Sequence, residues 1–207
     1  MNKNYIDLIK SKIIQSKSGT IFIYSDFSDI ASAATIRQVF NRLSKEGLIR
    51  RILSGVFYKP SYSKLLQEYL PVNPDSVAHA IARNFHWNIA PSGDYALNML
   101  GLSTQVPAVW SYISDGPYRE YKIGDINISF KHRTNREISN MSDMTVLVIQ
   151  SLKALGKERV SEQTIKILAK KIKSEDKEKL LRESTESSEW IFTTIRKICE
   201  VSYDKNS

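Results

Sequence analysis

The order of predicted elements is that of an α+β chain, in which short strands and helices fill the first sixty residues and a small antiparallel sheet plus several helices fill the rest. Three observations predict it. Apolar residues recur at helical spacing in 4–17 and again in 33–46. The runs TIFIY, VWSYIS, YREYKI and INISFK have strand composition or alternation. From residue 143 the period is helical to the end.

The first helix, over 4–17, places Tyr5, Leu8, Ile9, Ile13 and Ile14 on one face and ends at Ser18-Gly19. TIFIY at 20–24 reads as a strand. Ser25 is expected to cap a brief helix through SDFSDI, with Asp26 in its first turn where the helix dipole favours a negative charge. Ser32 caps a longer helix, AATIRQVFNRLSKEG, that Gly47 closes. Two strands over 48–53 and 56–59 follow, joined by a tight turn at Ser54-Gly55. Pro71 and Pro74 mark a join that also holds one apolar helical patch, SKLLQEYL. The expected domains are therefore 1–65 and 66–207.

In the second domain, Asp75 is expected to cap a helix through SVAHAIARNF, and Ser92 a shorter one through SGDYALNMLGL. Asp115-Gly116-Pro117 and Gly124-Asp125 separate the three alternating runs, which predicts a three-stranded antiparallel meander. Then come the helices MTVLVIQSLKAL, SEQTIKILAKKI capped by Ser161, SEDKEKLLRE capped by Ser174, and WIFTTIRKICEVS.

Composition bounds the function. At 207 residues, with 42% hydrophobic and 25% charged, the chain can bury a core and has a globular balance. No apolar run reaches the length of a membrane span, MNKNYIDLIKSK lacks a signal peptide's apolar stretch, and the single Cys199 excludes an intramolecular disulfide. A cytoplasmic protein without a membrane partner is expected. The net charge is +8, and it is uneven: residues 1–60 hold ten Lys/Arg against four Asp/Glu, whereas 61–207 hold twenty against eighteen. Positive charge gathered on one small domain is the footprint of a polyanionic partner.

The helix over 33–46 carries the sharpest signal. Ile36, Val39, Phe40 and Leu43 form one apolar stripe. Ala34, Gln38, Asn41 and Lys45 lie opposite, with Thr35, Arg37 and Arg42 on the flanks. Small residues at the N-terminus permit close approach to DNA, and Gln, Asn and Arg can each make paired hydrogen bonds to base edges. No acidic residue precedes Glu46 on the outer face. Helix, strand, short helix, helix and ribbon is the order of a winged helix-turn-helix. Arg50, Arg51 and Lys59 on the ribbon, and Ser54 at its tip, are expected to reach phosphates or the minor groove.

IRQVFNRLSKEGLIRRILSGVFYKP resembles the winged-helix segment of the AbiEi-type antitoxins of abortive-infection systems. SGDYALNMLGLSTQVPAVWSYISDGPYREYKIGDINISFKH resembles the middle region of that family, with LGLSTQVPA and YISDGP its most specific strings. The resemblance covers about residues 20–135 and implies a transcriptional repressor that binds inverted repeats in its own promoter. It also implies a nucleotidyltransferase-like toxin, encoded nearby, as the partner. By position, the DNA-reading helix is 33–46 and the wing is 50–59. Direct contact with the toxin is the alternative route to neutralisation. Binding as a monomer or as a dimer remains open.

A second constellation, Asp115, Glu120 and Lys122, has the residue types of a metal-dependent nuclease: two carboxylates for a divalent ion and a lysine for the attacking water. Glu120 and Lys122 share one face of a strand, but Asp-Gly-Pro is accounted for by turn chemistry. His79, His86 and His132 lack metal spacing, and no phosphate loop, nucleophile elbow or cysteine cluster is present. The expectation is a protein without enzymatic activity, cofactor or metal. Trp87, Trp110 and Trp190 are expected in cores, and the lysines of 166–179 on a solvated face broken by Glu175, Asp176 and Glu178.

Overall fold

A computed structural model describes residues 3–134, 138 and 140–201. It divides the chain into two units, Met1–Trp87 and Asn88–Ser207. Both mix helices with small sheets, so the chain is α+β.

The first unit opens with α1 (Lys3–Gln15) and β1 (Ile21–Ile23), followed by a 3-10 turn (Tyr24–Phe27). Next come α2 (Ala33–Lys45), β2 (Arg50–Leu53), β3 (Val56–Tyr58), a small hairpin of β4 (Tyr62–Ser63) and β5 (Glu68–Tyr69), and α3 (Pro74–Phe85). The three-stranded sheet has the order β1-β3-β2, antiparallel throughout, with Phe22 opposite Phe57 and Arg50 opposite Tyr58. Ile9, Ile13, Phe22, Phe27, Phe57 and the stripe Ile36, Val39, Phe40, Leu43 form one core. Side chains alternate across a strand, so Ile21, Ile23 and Val56 point away from that core. They are nevertheless buried, and α3 packs on β1 and β3. This second layer moves the expected boundary from residue 65 to 87.

Several expectations are corrected here. α1 contributes the narrow stripe of Ile9 and Ile13, with Ile6 partly buried, while Tyr5, Leu8 and Ile14 are exposed. Ser25 does not cap the 3-10 turn; the Asp26 carboxylate accepts from the Ile23 N–H at 2.9 Å instead. The patch SKLLQEYL is not helical. Tyr62 and Tyr69 pair across the β4–β5 hairpin with ring centroids 5.2 Å apart, and Gln67 turns the chain at φ 54°. The cap of α3 is Asn73, whose side chain accepts from the Ser76 N–H at 2.9 Å, with Pro74 at the first helical position and Asp75 behind it.

The second unit contains β6 (Ile89–Pro91), α4 (Gly93–Met99), β7 (Trp110–Ser114), β8 (Arg119–Ile123) and β9 (Ile126–His132). A helical array follows: α5 (Asp143–Leu155), a 3-10 turn (Lys157–Arg159), α6 (Glu162–Lys171), α7 (Ser174–Glu183) and α8 (Glu189–Glu200). The last predicted helix reaches Ser202, which lies outside the described residues. The sheet order is β6-β7-β9-β8, so the predicted meander is wrong. β7 and β9 run parallel, and only β8–β9 is the expected hairpin at Gly124-Asp125.

The reason lies in the loop after β7. The Asn88 N–H and side-chain amide donate to the Asp115 carboxylate at 2.8 and 2.7 Å, and His132 Nδ1 lies 2.9 Å from the Gly116 carbonyl. Held at both points, the loop crosses the end of β9 and sets β8 on its far side. The short strand β6 carries too few residues to show a period.

α4, α5, α6, α7 and α8 pack around Leu100, Val148, Leu152, Leu168, Ile195 and Ile198. Ser161 caps α6 as expected, accepting from the Thr164 N–H at 3.2 Å, whereas the position before α7 is Lys173 and Ser174 is already helical. Glu183 of α7 accepts from the Ser142 N–H at 2.8 Å and from the Ser142 and Thr145 hydroxyls at 2.7 Å each, tying α7 to the start of α5. Burial raises the pKa of Glu183, but these hydrogen bonds outweigh it and hold the carboxyl below its ordinary value. A depressed folded value stabilises the fold above the unfolded value of about 4.3 and loses that contribution as pH falls through the folded value. Glu183→Gln is therefore expected to flatten the acid limb of a stability–pH series. An unchanged limb would remove Glu183 from the account.

Candidate nucleic-acid interface

α2 is fixed at both ends by local chemistry. The Ser32 side chain accepts from the Thr35 N–H at 3.4 Å, and Gly47 takes φ 77° so that the Leu48 N–H reaches the Leu43 carbonyl at 3.0 Å. With Ile36, Val39, Phe40 and Leu43 buried, the rest of the helix faces outward. Ala34, Arg37, Gln38, Asn41, Arg42 and Lys45 are all exposed.

The structure sorts this set further. Gln38, Asn41 and Lys45 hold no side-chain partner among the described residues. The Arg37 guanidinium lies over the Tyr24 ring, 5.8 Å from its centroid, and Tyr24 in turn packs its ring against Phe40 and Phe57. Thr35 is half-buried, its hydroxyl 3.0 Å from Ser32 Oγ, so it serves the helix cap. Arg42 Nε donates to Glu46 Oε1 at 2.9 Å, and Lys10 Nζ lies 3.3 Å from Glu46 Oε2. Those two cations, Arg42 foremost, lower the Glu46 pKa. Lys10 is thus a member of the site that no sequence pattern marks, because 36 residues separate it from Glu46.

The ribbon is less free than expected. The Arg50 guanidinium stacks on Tyr69 at 3.7 Å, and Arg51 Nε donates to the Leu53 carbonyl at 3.3 Å. Ser54 is exposed at the turn, but Gly55 beside it is buried at φ 80°, and a Cβ there would meet Asn84 Oδ1 at 3.1 Å. Lys59 is engaged within the protein. Its ammonium donates to the Ile14 and Ser16 carbonyls at 2.6 Å each, where a cation satisfies the end of α1. Lys59→Met is expected to cost about 1 kcal/mol of stability in a urea titration, and an unchanged midpoint would take the Lys59 contacts out of the account of the fold.

The nuclease set does not assemble. Asp115 is occupied by Asn88, and it follows Ser114, which pairs with His132, whereas Glu120 sits opposite Ser129. The register places the backbone of Glu120 roughly 13 Å along the strands and roughly 10 Å across them from that of Asp115. The Glu120 carboxylate accepts from the Tyr118 hydroxyl, a contact that raises the Tyr118 pKa. Among the described residues no group of three or more His, Cys, Asp or Glu is placed to hold a metal ion. His79 lies 3.6 Å from Asp75, and His86 ends α3 in the left-handed conformation. Cys199 packs against the helical core, and burial pushes its thiol pKa up. No described helix is long and apolar enough to cross a membrane.

Fold and surface together define an α+β protein of two units, with an uncovered polar and basic helix face on the first. The chain belongs to a family of unknown function, DUF6088, which it matches over residues 8–180. No curated protein matches it in sequence.

Proposed function

We propose that the chain is a sequence-specific DNA-binding transcriptional repressor whose first unit is a winged helix-turn-helix. The observation that carries this reading is the outer face of α2. Gln38, Asn41 and Lys45 stand there without a side-chain partner among the described residues and Arg37 is braced by an aromatic ring, on a segment with an excess of six positive charges over residues 1–60. The succession α1, β1, short turn, α2, β2, β3 and the sheet order β1-β3-β2 support the winged form. In it α2 enters the major groove, Arg37, Gln38 and Asn41 read base edges, and Arg42, Lys45 and Arg51 meet phosphates.

The proposal extends to an antitoxin that represses its own operon at inverted repeats, with a nucleotidyltransferase-like toxin as partner. The resemblance of the segment 92–132 supports this part. One observation favours direct protein contact as a second reading: the β4–β5 hairpin carries Leu65 at its tip, 92% exposed, beside an exposed Leu66. The proposal assigns no catalytic residue.

The test is a binding titration of the purified chain against a duplex of its own upstream region and a scrambled duplex of equal length, at fixed salt. Preference for the upstream duplex is expected, and equal affinity for both rejects the repressor. Co-purification with the product of the adjacent reading frame tests the antitoxin part.

A further inference from the structure

We propose that Glu46 is a specificity residue: it holds Arg42 on an internal carboxylate and so withholds one cation from phosphates until α2 is seated in register. The inference rests on the DNA reading of α2 and concerns the regulation of that same face.

Glu46 is an anomaly on a helix of this kind. It is the carboxylate that immediately follows α2, and a negative charge next to a phosphate backbone is repelled. A stabilising role does not account for it. The side chains of Arg42, Lys10 and Glu46 are 60%, 44% and 37% exposed, and ion pairs in that setting contribute little to folding. Its geometry does account for it. One carboxylate oxygen takes the Arg42 Nε at 2.9 Å, so the one cation of the pair that stands on α2 is engaged by the protein itself, and the other oxygen faces Lys10 Nζ of α1 at 3.3 Å.

A guanidinium fork binds a carboxylate and a phosphate through the same paired donors. An encounter without fixed register exchanges the single Arg42 Nε bond to Glu46 for one to a phosphate and leaves Glu46 facing phosphates, so the exchange gains little. Once Gln38 and Asn41 hold base edges, the neighbouring phosphate is fixed within reach of Arg42. Lys10 then remains to neutralise Glu46. The carboxylate thus weakens binding to arbitrary sequence more than binding to the cognate one.

Salt dependence tests this, because its slope counts phosphate contacts. Glu46→Gln is expected to raise affinity for a scrambled duplex several-fold and to steepen that duplex's slope of log K against log salt by about 0.9, one added contact. The slope on the upstream duplex is expected to stay unchanged, so discrimination falls. In an Arg42→Ala background the same substitution is expected to leave the scrambled-duplex slope where it was. An equal change in both backgrounds overturns the proposal, since Glu46 then acts by its own charge alone. An unchanged slope in the single variant overturns it too. If the wild-type chain retains neither duplex, the DNA reading itself falls and takes this inference with it. Retention of both with additive variants removes the Glu46 role and spares the DNA reading.

Discussion

Asn41→Ala is expected to weaken binding to the upstream duplex by about 1–3 kcal/mol while leaving affinity for scrambled DNA and the salt slope unchanged. Asn41 sits mid-helix on the exposed face, has no side-chain partner among the described residues, and carries no charge. Its removal therefore touches neither the core nor the phosphate contacts, and a surface change of this kind stays within about 0.5 kcal/mol of the original stability. What it can remove is a pair of hydrogen bonds to one base, most naturally adenine N6 and N7. Titration against a set of single-base variants should show preference lost at one position. A uniform loss on every sequence would assign Asn41 to the backbone instead.

Phe40→Ala is expected to cost about 3–5 kcal/mol and to unfold the first unit selectively. Phe40 is fully buried, with the rings of Tyr24, Phe27 and Phe57 at 5.4, 5.2 and 5.1 Å from its own. Deleting it opens a cavity that three rigid rings cannot close, and it removes the ring support behind Tyr24 and hence Arg37. The helical core of the second unit, built on Val148, Leu152, Leu168 and Ile195, contains none of these residues. Urea unfolding followed by circular dichroism should show an early transition absent from the wild type, with DNA retention lost across the same range. A single unshifted transition would mean that the ring cluster is not what holds α2.

Where the sequence was legible, the reason is local. Ile36, Val39, Phe40 and Leu43 repeat at helix spacing between a serine cap and a closing glycine, so both the existence of α2 and its buried stripe follow from neighbours in the chain. The face left outside follows from the same count. Illegible features depend on distant partners. Nothing in VWSYIS says that its neighbour in the sheet is INISFK rather than YREYKI, because alternation specifies a face and not a partner. SKLLQEYL has helix formers, yet Tyr62 and Tyr69 close it as a hairpin. Lys59 looked like one more basic residue on the ribbon until the chain brought the end of α1 beneath it.

The second layer formed by α3 has a practical consequence for anyone dissecting the molecule. A fragment cut after residue 65, where the prolines invite it, would lack the helix that packs on β1 and β3, leaving Ile21, Ile23 and Val56 to find another cover. It would also lose Asn84 from beside Gly55, and with it the side chain that fills the back of the ribbon's turn. Such a piece would carry every residue assigned to DNA and still be prone to aggregate. The segment to express is 1–87.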